Sequence, residues 1–163
     1  MRDFRIFIHY ATASISSLYL GVIPLKKNLD LKFCSELLNV KNVVKKTLLF
    51  LQNAVPNITT EEQSDLRLVF SELLYNAVVH GNQNDINKNV HLNIEIDEGM
   101  VVGRVADEGD GFNYLELLEH IEEEDVYNEC GRGIRLVYSL TDKIVFNIPG
   151  NAVRFYKRVA NHG

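Results

Sequence analysis

The sequence predicts an α/β fold, a two-layer sandwich in which helices pack on one face of a mixed, mainly antiparallel sheet. Apolar residues recur at helical spacing in two long segments, and several other segments show the alternation or short apolar runs of strands. These segments come in mixed order without regular strand–helix alternation, which disfavours a purely parallel sheet. With 163 residues, 46% of them hydrophobic, the chain can bury the core of one domain.

The first predicted elements are a strand and a helix. The strand covers Leu31 to Glu36, and the helix covers Val40 to Val55, where apolar residues recur at helical spacing. The helix stops before Pro56, because the residue before a proline avoids helical angles. We therefore divide the chain into an N-terminal extension of unknown role, residues 1–30, and one domain, residues 31–160.

A second helix is predicted to begin with a capping box. In Thr59-Thr60-Glu61-Glu62, the Thr59 side chain can accept from a first-turn amide while the Glu62 side chain reaches back. We expect this helix to run to about His80, with Gly81 as its C-terminal stop. The apolar residues of its core face are Leu66, Val69, Phe70, Leu73, Leu74 and Ala77.

The remaining elements follow a polar loop. They are a strand containing Leu92, Ile94 and Ile96, a strand over Val101 to Val105, a helix over Gly131 to Thr141, and a hairpin of Ile144 to Ile148 with Val153 to Val159. The first two strands are joined by Asp97-Glu98-Gly99, and the closing hairpin turns at Pro149-Gly150. Phe112 to Cys130 is an acidic connector with a short helix expected at Leu115 to Ile121.

The N-terminal stretch Met1 to Pro24 permits two interpretations. Basic residues near the start, followed by the apolar stretch Ile15 to Ile23, resemble a weak signal peptide. Polar residues interrupt the stretch, however, and no apolar run approaches the roughly twenty residues of a membrane-spanning helix. The alternation from Phe4 to Tyr10 favours instead an extra strand or arm.

Composition narrows the partners that we expect. The net charge of −5 disfavours direct nucleic-acid binding, which needs a basic surface. Cys34 and Cys130 have neither disulfide nor zinc-site spacing, so a reducing, cytoplasmic setting without a membrane is expected.

Three polar clusters lie at element ends, and the first is Glu72 with Asn76. Their spacing of four places a carboxylate and a carboxamide on one face of an apolar helix. A carboxamide oxygen is a hard ligand that Mg²⁺ accepts alongside water and phosphate oxygens. The carboxylate one turn earlier can orient or deprotonate a nucleophile. The alternative is a solvated polar edge of the helix, extended by His80.

The second cluster is Asp107-Glu108-Gly109-Asp110-Gly111, which ends a predicted strand. An aspartate there can accept from the exocyclic amine of a base such as adenine. Gly109 and Gly111 permit close approach of the backbone or left-handed angles. A calcium loop is disfavoured, because the glycines occupy its third and fifth positions, where oxygen ligands belong. A plain surface turn is the alternative.

The third cluster is Gly131-Arg132-Gly133 at the start of a predicted helix. Unpaired amides and the positive end of the helix dipole form a natural phosphate seat, to which Arg132 adds charge. The pattern is neither a Walker A motif nor a full dinucleotide fingerprint, because the lysine and third glycine are missing. The alternative is a tightly packed helix start.

The order of the three clusters resembles the GHKL, or Bergerat-type, ATP-binding family. The resemblance covers about Leu31 to Val159, and its subgroup is the bacterial anti-sigma factor serine/threonine kinases. The matching motifs are Ser71-Glu72 through Asn76-Ala77 to His80-Gly81-Asn82, then Asp107 to Phe112, then Cys130 to Val137 followed by Thr141-Asp142. The closing hairpin departs from the family, which often has Gly-Thr where this chain has Gly150-Asn151-Ala152.

The resemblance implies a histidine kinase-like ATPase fold, the cofactors ATP and Mg²⁺, and a role for each matching residue. Glu72 would be the general base toward a protein serine, and Asn76 the Mg²⁺ ligand. Asp107 would contact the adenine amine. Gly109 and Gly111 would line the adenine pocket, while Gly131, Arg132 and Gly133 would hold the phosphates. Phe112 to Cys130 would be a lid over ATP.

The resemblance also implies partners. A member of the subgroup would sequester a sigma factor, phosphorylate an anti-sigma factor antagonist on serine, and form a homodimer. One alternative is the ATPase half of a two-component histidine kinase, which needs a phosphoacceptor histidine in a dimerisation helix. The segment before Glu72 is short for one, and His9 lies in a strand-like alternation. Another alternative is a non-catalytic nucleotide-binding module that only sequesters protein partners.

Overall fold

The computed structural model describes residues 27–114 and 132–159. The helices are α1 (Leu37–Ala54), α2 (Thr60–Tyr75), a π-helix (Asn76–Gly81) and α3 (Arg132–Leu140), and the strands are β1 (Lys27–Cys34), β2 (Asn89–Asp97), β3 (Met100–Asp107), β4 (Lys143–Phe146) and β5 (Ala152–Arg158). The expected short helix at Leu115 to Ile121 and the N-terminal arm or signal peptide lie outside the described residues.

The strands form one sheet in the order β1-β2-β3-β5-β4, and each of the four pairings is antiparallel. Side chains of one face are buried in matching rows, for example Leu31 opposite Leu92 and Leu92 opposite Val105. The opposite face carries exposed polar residues such as Asp30 and Arg104. The helices pack on the buried face, which confirms the predicted two-layer sandwich.

Helix α2 holds the layers together. Its start has the predicted capping box, with Thr59 Oγ1 accepting from Glu62 N at 3.1 Å and Thr59 N donating to Glu62 Oε2 at 2.8 Å. Near the same end, Asp65 forms an ion pair with Lys157 of β5 at 3.0 Å, and Lys157 also donates to the Leu140 carbonyl at the end of α3. These contacts fix α2 against both β5 and α3.

The C-terminal part of the second helix differs from the prediction. The chain stays helical through Gly81, but from Asn76 onward it is a π-helix, in which Asn82 N donates to the Ala77 carbonyl. Gly81 is therefore not a left-handed stop; positive φ angles occur just beyond it, at Gln83 and Asn84. The wider turn buries Ala77, Val78 and Asn82 beneath the sheet.

Two further differences concern element ends. Strand β1 begins at Lys27 rather than at Leu31, because Leu29 pairs with Ile94 and adds to the buried face. The described part of the third predicted helix ends at Leu140, where the Thr141 hydroxyl donates to the Val137 carbonyl. Among the described residues, no helix is long and apolar enough to cross a membrane.

We expect Gly103→Ala to destabilise the domain by about 2 kcal/mol, a typical cost of overpacking a core. A Cβ on Gly103 would lie 2.3 Å from Cε1 of Phe155, a fully buried ring that packs edge-on against Phe70. Urea unfolding measures the change. Arg104→Ala, on the exposed face of the same strand, is the control and should change the free energy of unfolding by no more than about 0.5 kcal/mol. Equal effects would contradict this packing argument.

Candidate functional site

Glu72 and Asn76 face the start of helix α3. A Cβ built on Gly133, in the first turn of α3, would lie 2.4 Å from Glu72 Oε2 and 3.8 Å from Asn76 Nδ2. Helix α2 carries Glu72, and the adjoining π-helix carries Asn76. Because Gly133 has no side chain, there is room for these two side chains beside α3. Two of the three predicted clusters thus meet at one place.

The polar atoms of this pair are available to a ligand. Both side chains are partly exposed, and within residues 27–114 and 132–159 neither makes a hydrogen bond or an ion pair. Glu72 also contrasts with its helix neighbours Leu73 and Leu74, which are buried. A carboxylate and a carboxamide that protrude beside a helix N-terminus can together bind a cation and an anion.

The donor set fits Mg²⁺ held jointly with phosphate. The described residues contain no group of three or more His, Cys, Asp or Glu side chains that could hold a metal alone. Mg²⁺ commonly takes only one or two protein oxygens and completes its octahedron with water and phosphate. Asn76, whose side chain lies near Gly133, can supply one such oxygen.

The Asp107 turn, residues 107–111, follows directly from β3. Gly109 N donates to Asp107 Oδ1 at 2.9 Å, while no described residue donates to Oδ2. The carboxylate is half-buried, and its Oδ2 is left as a hydrogen-bond acceptor. This arrangement suits recognition of an amino group such as that of adenine.

The Asp107 turn approaches the end of the π-helix so closely that side chains are excluded. A Cβ on Gly81 would lie 2.4 Å from Cγ of Asp107, and a Cβ on Gly109 would lie 2.2 Å from the Gly81 carbonyl oxygen. Gly81 therefore serves the site by its lack of a side chain, a role that the prediction of a helix stop missed. The six-residue π-helix connects Asn76 at one end to this contact at the other.

The electrostatics of Asp107 follow from its burial. Desolvation raises the pKa of its carboxyl group, and it outweighs the opposite effects of the Gly109 hydrogen bond and the nearby Lys88 ammonium. A carboxylate with few solvent contacts is a stronger hydrogen-bond acceptor for a bound ligand than one in open water.

The outer end of the Asp107 turn packs against the β4–β5 hairpin. Gly111 has a φ of +83°, and a Cβ on it would lie 2.3 Å from the Pro149 carbonyl oxygen. Phe112 and Tyr114 pack on the ring of Phe146. A cavity of about 390 Å³ opens here, but Asp107 is not among its lining residues. The structure thus shows a packing role for Gly111.

Two carboxamides brace the Asp107 turn. The buried Asn82 accepts from Glu108 N at 2.9 Å and donates to the Asn89 carbonyl at 2.9 Å. Asn151 Nδ2 donates to the Gly109 carbonyl at 3.1 Å. In the sequence, Asn82 is only the last residue of the first matching motif, and Asn151 is only a departure from the family. The burial of Asn82, which indicates its supporting role, is visible only in the structure.

Some predicted site residues cannot be placed. Gly131 and most of the lid, Phe112 to Cys130, lie outside the described residues. Arg132 is exposed at the first position of α3, near the same end as Gly133.

Comparisons with known proteins agree with the fold of the domain. The family described as the histidine kinase-like ATPase domain matches residues 38–157. An anti-sigma F factor of Geobacillus stearothermophilus is 29% identical over 89 residues, 53% of this chain and 61% of the relative. The serine-protein kinase RsbW of Bacillus subtilis is 31% identical over 106 residues, 61% of this chain and 66% of the relative. The matched part of the chain thus spans less than two thirds of these two relatives.

We expect Asp107→Asn to raise the thermal midpoint at neutral pH. Because burial raises the pKa of Asp107, its ionisation costs stability as the pH rises through that pKa, and the neutral amide avoids the cost. The gain should shrink as the pH falls toward about 4, where the wild-type carboxyl also becomes neutral.

Asp85→Asn provides a control of opposite sign for the thermal measurement. Hydrogen bonds from the backbone and side chain of Asn87 lower the pKa of Asp85, so its removal should lower the midpoint at neutral pH. If Asp107→Asn also lowers the midpoint at neutral pH, burial is not the dominant influence on Asp107.

Proposed function

The chain belongs to the histidine kinase-like ATPase domain family, and on that premise we propose that it is an ATP- and Mg²⁺-dependent protein serine kinase that also sequesters a sigma factor. The observation that carries the proposal is the position of Glu72 and Asn76 against the first turn of α3, with no side chain between them. The names of the relatives, anti-sigma F factor and serine-protein kinase, support it.

The start of α3 would bind the phosphates of ATP. Its first-turn amides have no helical partners and carry the positive end of the helix dipole. Gly133 has no side chain at this end of the helix, where Glu72 Oε2 lies close to it, and the exposed Arg132 adds a positive charge. We extend the phosphate seat to Gly131 on the strength of the motif.

Asn76 would hold the metal beside the phosphates. Bound Mg²⁺ would supply charge neutralisation for the phosphate oxygens. The Asn76 carboxamide is suited to ligate it, because its side chain has no other hydrogen bond among the described residues and lies next to the phosphate seat.

Glu72 would act as the general base. Its carboxylate would accept the proton from the serine hydroxyl as the serine oxygen forms a bond to the terminal phosphorus of ATP. The bond from that phosphorus to the bridging oxygen then breaks, and ADP leaves. A base within one helical turn of the metal ligand is positioned for this transfer.

Asp107 would read the base of the nucleotide. Its Oδ1 is occupied by Gly109 N, so Oδ2 would accept from the exocyclic amine of adenine. Gly109 and Gly111 would shape the adenine side of the pocket, and the lid segment would cover the nucleotide.

We propose two competing protein partners, as the resemblance implies. One is a sigma factor that the kinase holds inactive, and the other is an anti-sigma factor antagonist that the kinase phosphorylates on serine. The nucleotide must change the relative affinities for the two partners if the switch is to work. We further propose that the protein is a cytoplasmic homodimer that does not bind nucleic acid or membranes.

The kinase activity is tested by incubating the protein with Mg-ATP and a candidate antagonist protein from the same genome. We expect phosphoserine on the antagonist, and Glu72→Ala should slow its formation about 10²- to 10⁴-fold, the usual contribution of a general base. ATP affinity should remain, because Glu72 does not contact the base. Mass spectrometry of the antagonist and calorimetry with ATP measure the two quantities.

Glu61→Ala, an exposed carboxylate in the first turn of the same helix, is the matched control and should retain the transfer rate. Wild-type protein that binds ATP and the antagonist but forms no phosphoserine would favour the non-catalytic module that only sequesters its partners.

Base recognition yields a separate expectation for Asp107→Asn. The side-chain oxygen of the new asparagine would accept from Gly109 N, as Asp107 Oδ1 does in the wild type. Its NH₂ group would then face the ligand, where it meets the amine of adenine, and both groups are donors. ATP affinity should fall by roughly tenfold to a hundredfold, the value of a charge-assisted hydrogen bond. Inosine triphosphate carries a carbonyl oxygen at that position, so Asp107→Asn should bind it at least as tightly as the wild type does. Unchanged ATP affinity would contradict the assignment of Asp107.

A further inference from the structure

Four backbone groups of the Asp107 turn near the carboxylate are hydrogen-bonded. Asp107 N donates to the Asn151 carbonyl at 2.9 Å, Glu108 N to Asn82 Oδ1, and Gly109 N to Asp107 Oδ1. The Gly109 carbonyl accepts from Asn151 Nδ2. Asn151 therefore contacts the turn twice. Its backbone carbonyl accepts from Asp107 N, and its side chain donates to the Gly109 carbonyl.

The orientation of the Asn151 carboxamide is fixed by a second asparagine. Asn147 Nδ2 donates to Asn151 Oδ1 at 2.9 Å, and Asn147 Oδ1 accepts from Ala152 N at 2.8 Å. The Ala152 amide can only donate, so it sets the Asn147 carboxamide, which in turn directs Asn151 Nδ2 toward the Gly109 carbonyl. If the Asn151 carboxamide were reversed, its Oδ1 would face the Gly109 carbonyl oxygen, and both atoms are acceptors.

Asn82 braces the turn from the opposite side. It lies at the end of the π-helix and is fully buried, with both side-chain atoms hydrogen-bonded. The Gly81–Gly109 contact and Asn82 thus hold the turn on the side of the π-helix, and Asn151 holds it on the side of the β4–β5 hairpin.

We propose that Asn151 is a positioning residue for base recognition. By holding the Gly109 carbonyl, it fixes the position of Gly109, the residue whose N–H binds Asp107 Oδ1, and so directs Oδ2 toward the amine of an adenine base. Asn151 does not itself need to contact the nucleotide. The inference rests on the proposed function, because it assumes that Asp107 reads the base of ATP.

The test compares the dissociation constants for ATP and for inosine triphosphate in wild type and in Asn151→Leu. Leucine is close to asparagine in size but has no donor for the Gly109 carbonyl. We expect ATP to bind about tenfold more weakly and inosine triphosphate to bind unchanged, because inosine offers Asp107 no amine. Asn93→Leu is the matched control: Asn93 also forms side-chain hydrogen bonds, to Asn28 and Asp30, but on the exposed face of the sheet.

Asn147→Ala provides a second variant in case Asn151→Leu does not fold. It releases the Asn151 carboxamide without altering the turn, so it should weaken ATP binding selectively in the same way. Thermal unfolding of each variant verifies that the domain is folded.

The outcomes separate the positioning role from the proposed function. A loss of affinity shared equally by ATP and inosine triphosphate would mean that Asn151 is merely structural, and an unchanged preference for ATP would also overturn the inference. Wild-type protein that shows no preference for ATP over inosine triphosphate would instead overturn the assignment of the adenine site, and the inference with it.

Discussion

The close contact between the end of the π-helix and the Asp107 turn is the constraint on which the site depends. A side chain on Gly81 would overlap the Asp107 carboxylate, and one on Gly109 would overlap the Gly81 carbonyl. The contact joins the helix that carries Asn76 to the strand that ends in Asp107, so the proposed metal and base positions have a fixed separation. The π-helix contributes to this, because its wider turn brings Asn82 under the sheet to accept from Glu108 N.

Two neutral carboxamides support the backbone of the Asp107 turn, alongside the Glu108 carboxylate, which accepts from Asn89 N at 2.9 Å. The pKa of Asp107 is already raised by burial, and a further carboxylate nearby would raise it more. Asn82 and Asn151 satisfy backbone groups without adding charge. An asparagine has both a donor and an acceptor, so each can also be anchored to a second partner that fixes its orientation.

The sequence predicted what depends on local pattern. The capping box at Thr59 and Glu62 involves residues three apart in sequence. The alternation of apolar residues along the strands predicted which side chains of the sheet are buried. The start of β1 was missed because Lys27 to Asp30 is polar and becomes a strand through pairing with β2, far away in sequence. The order of the motifs indicated Glu72, Asn76 and Asp107, but the brace at Asn151 depends on a hydrogen bond across 42 residues, for which no local signal exists.

The distribution of satisfied polar groups distinguishes a ligand site from a polar edge of the helix. Around Asp107, hydrogen bonds occupy the backbone of the turn and both carboxamides that support it, whereas Asp107 Oδ2 has no partner among the described residues. Glu72 and Asn76 are likewise unpaired there, although they lie within reach of helix α3. None of these side chains is fully buried, so water can reach them, and their concentration beside an accurately held turn is typical of a ligand site. A bound nucleotide and metal would satisfy all three side chains at once, and a solvated helix edge would account only for Glu72 and Asn76.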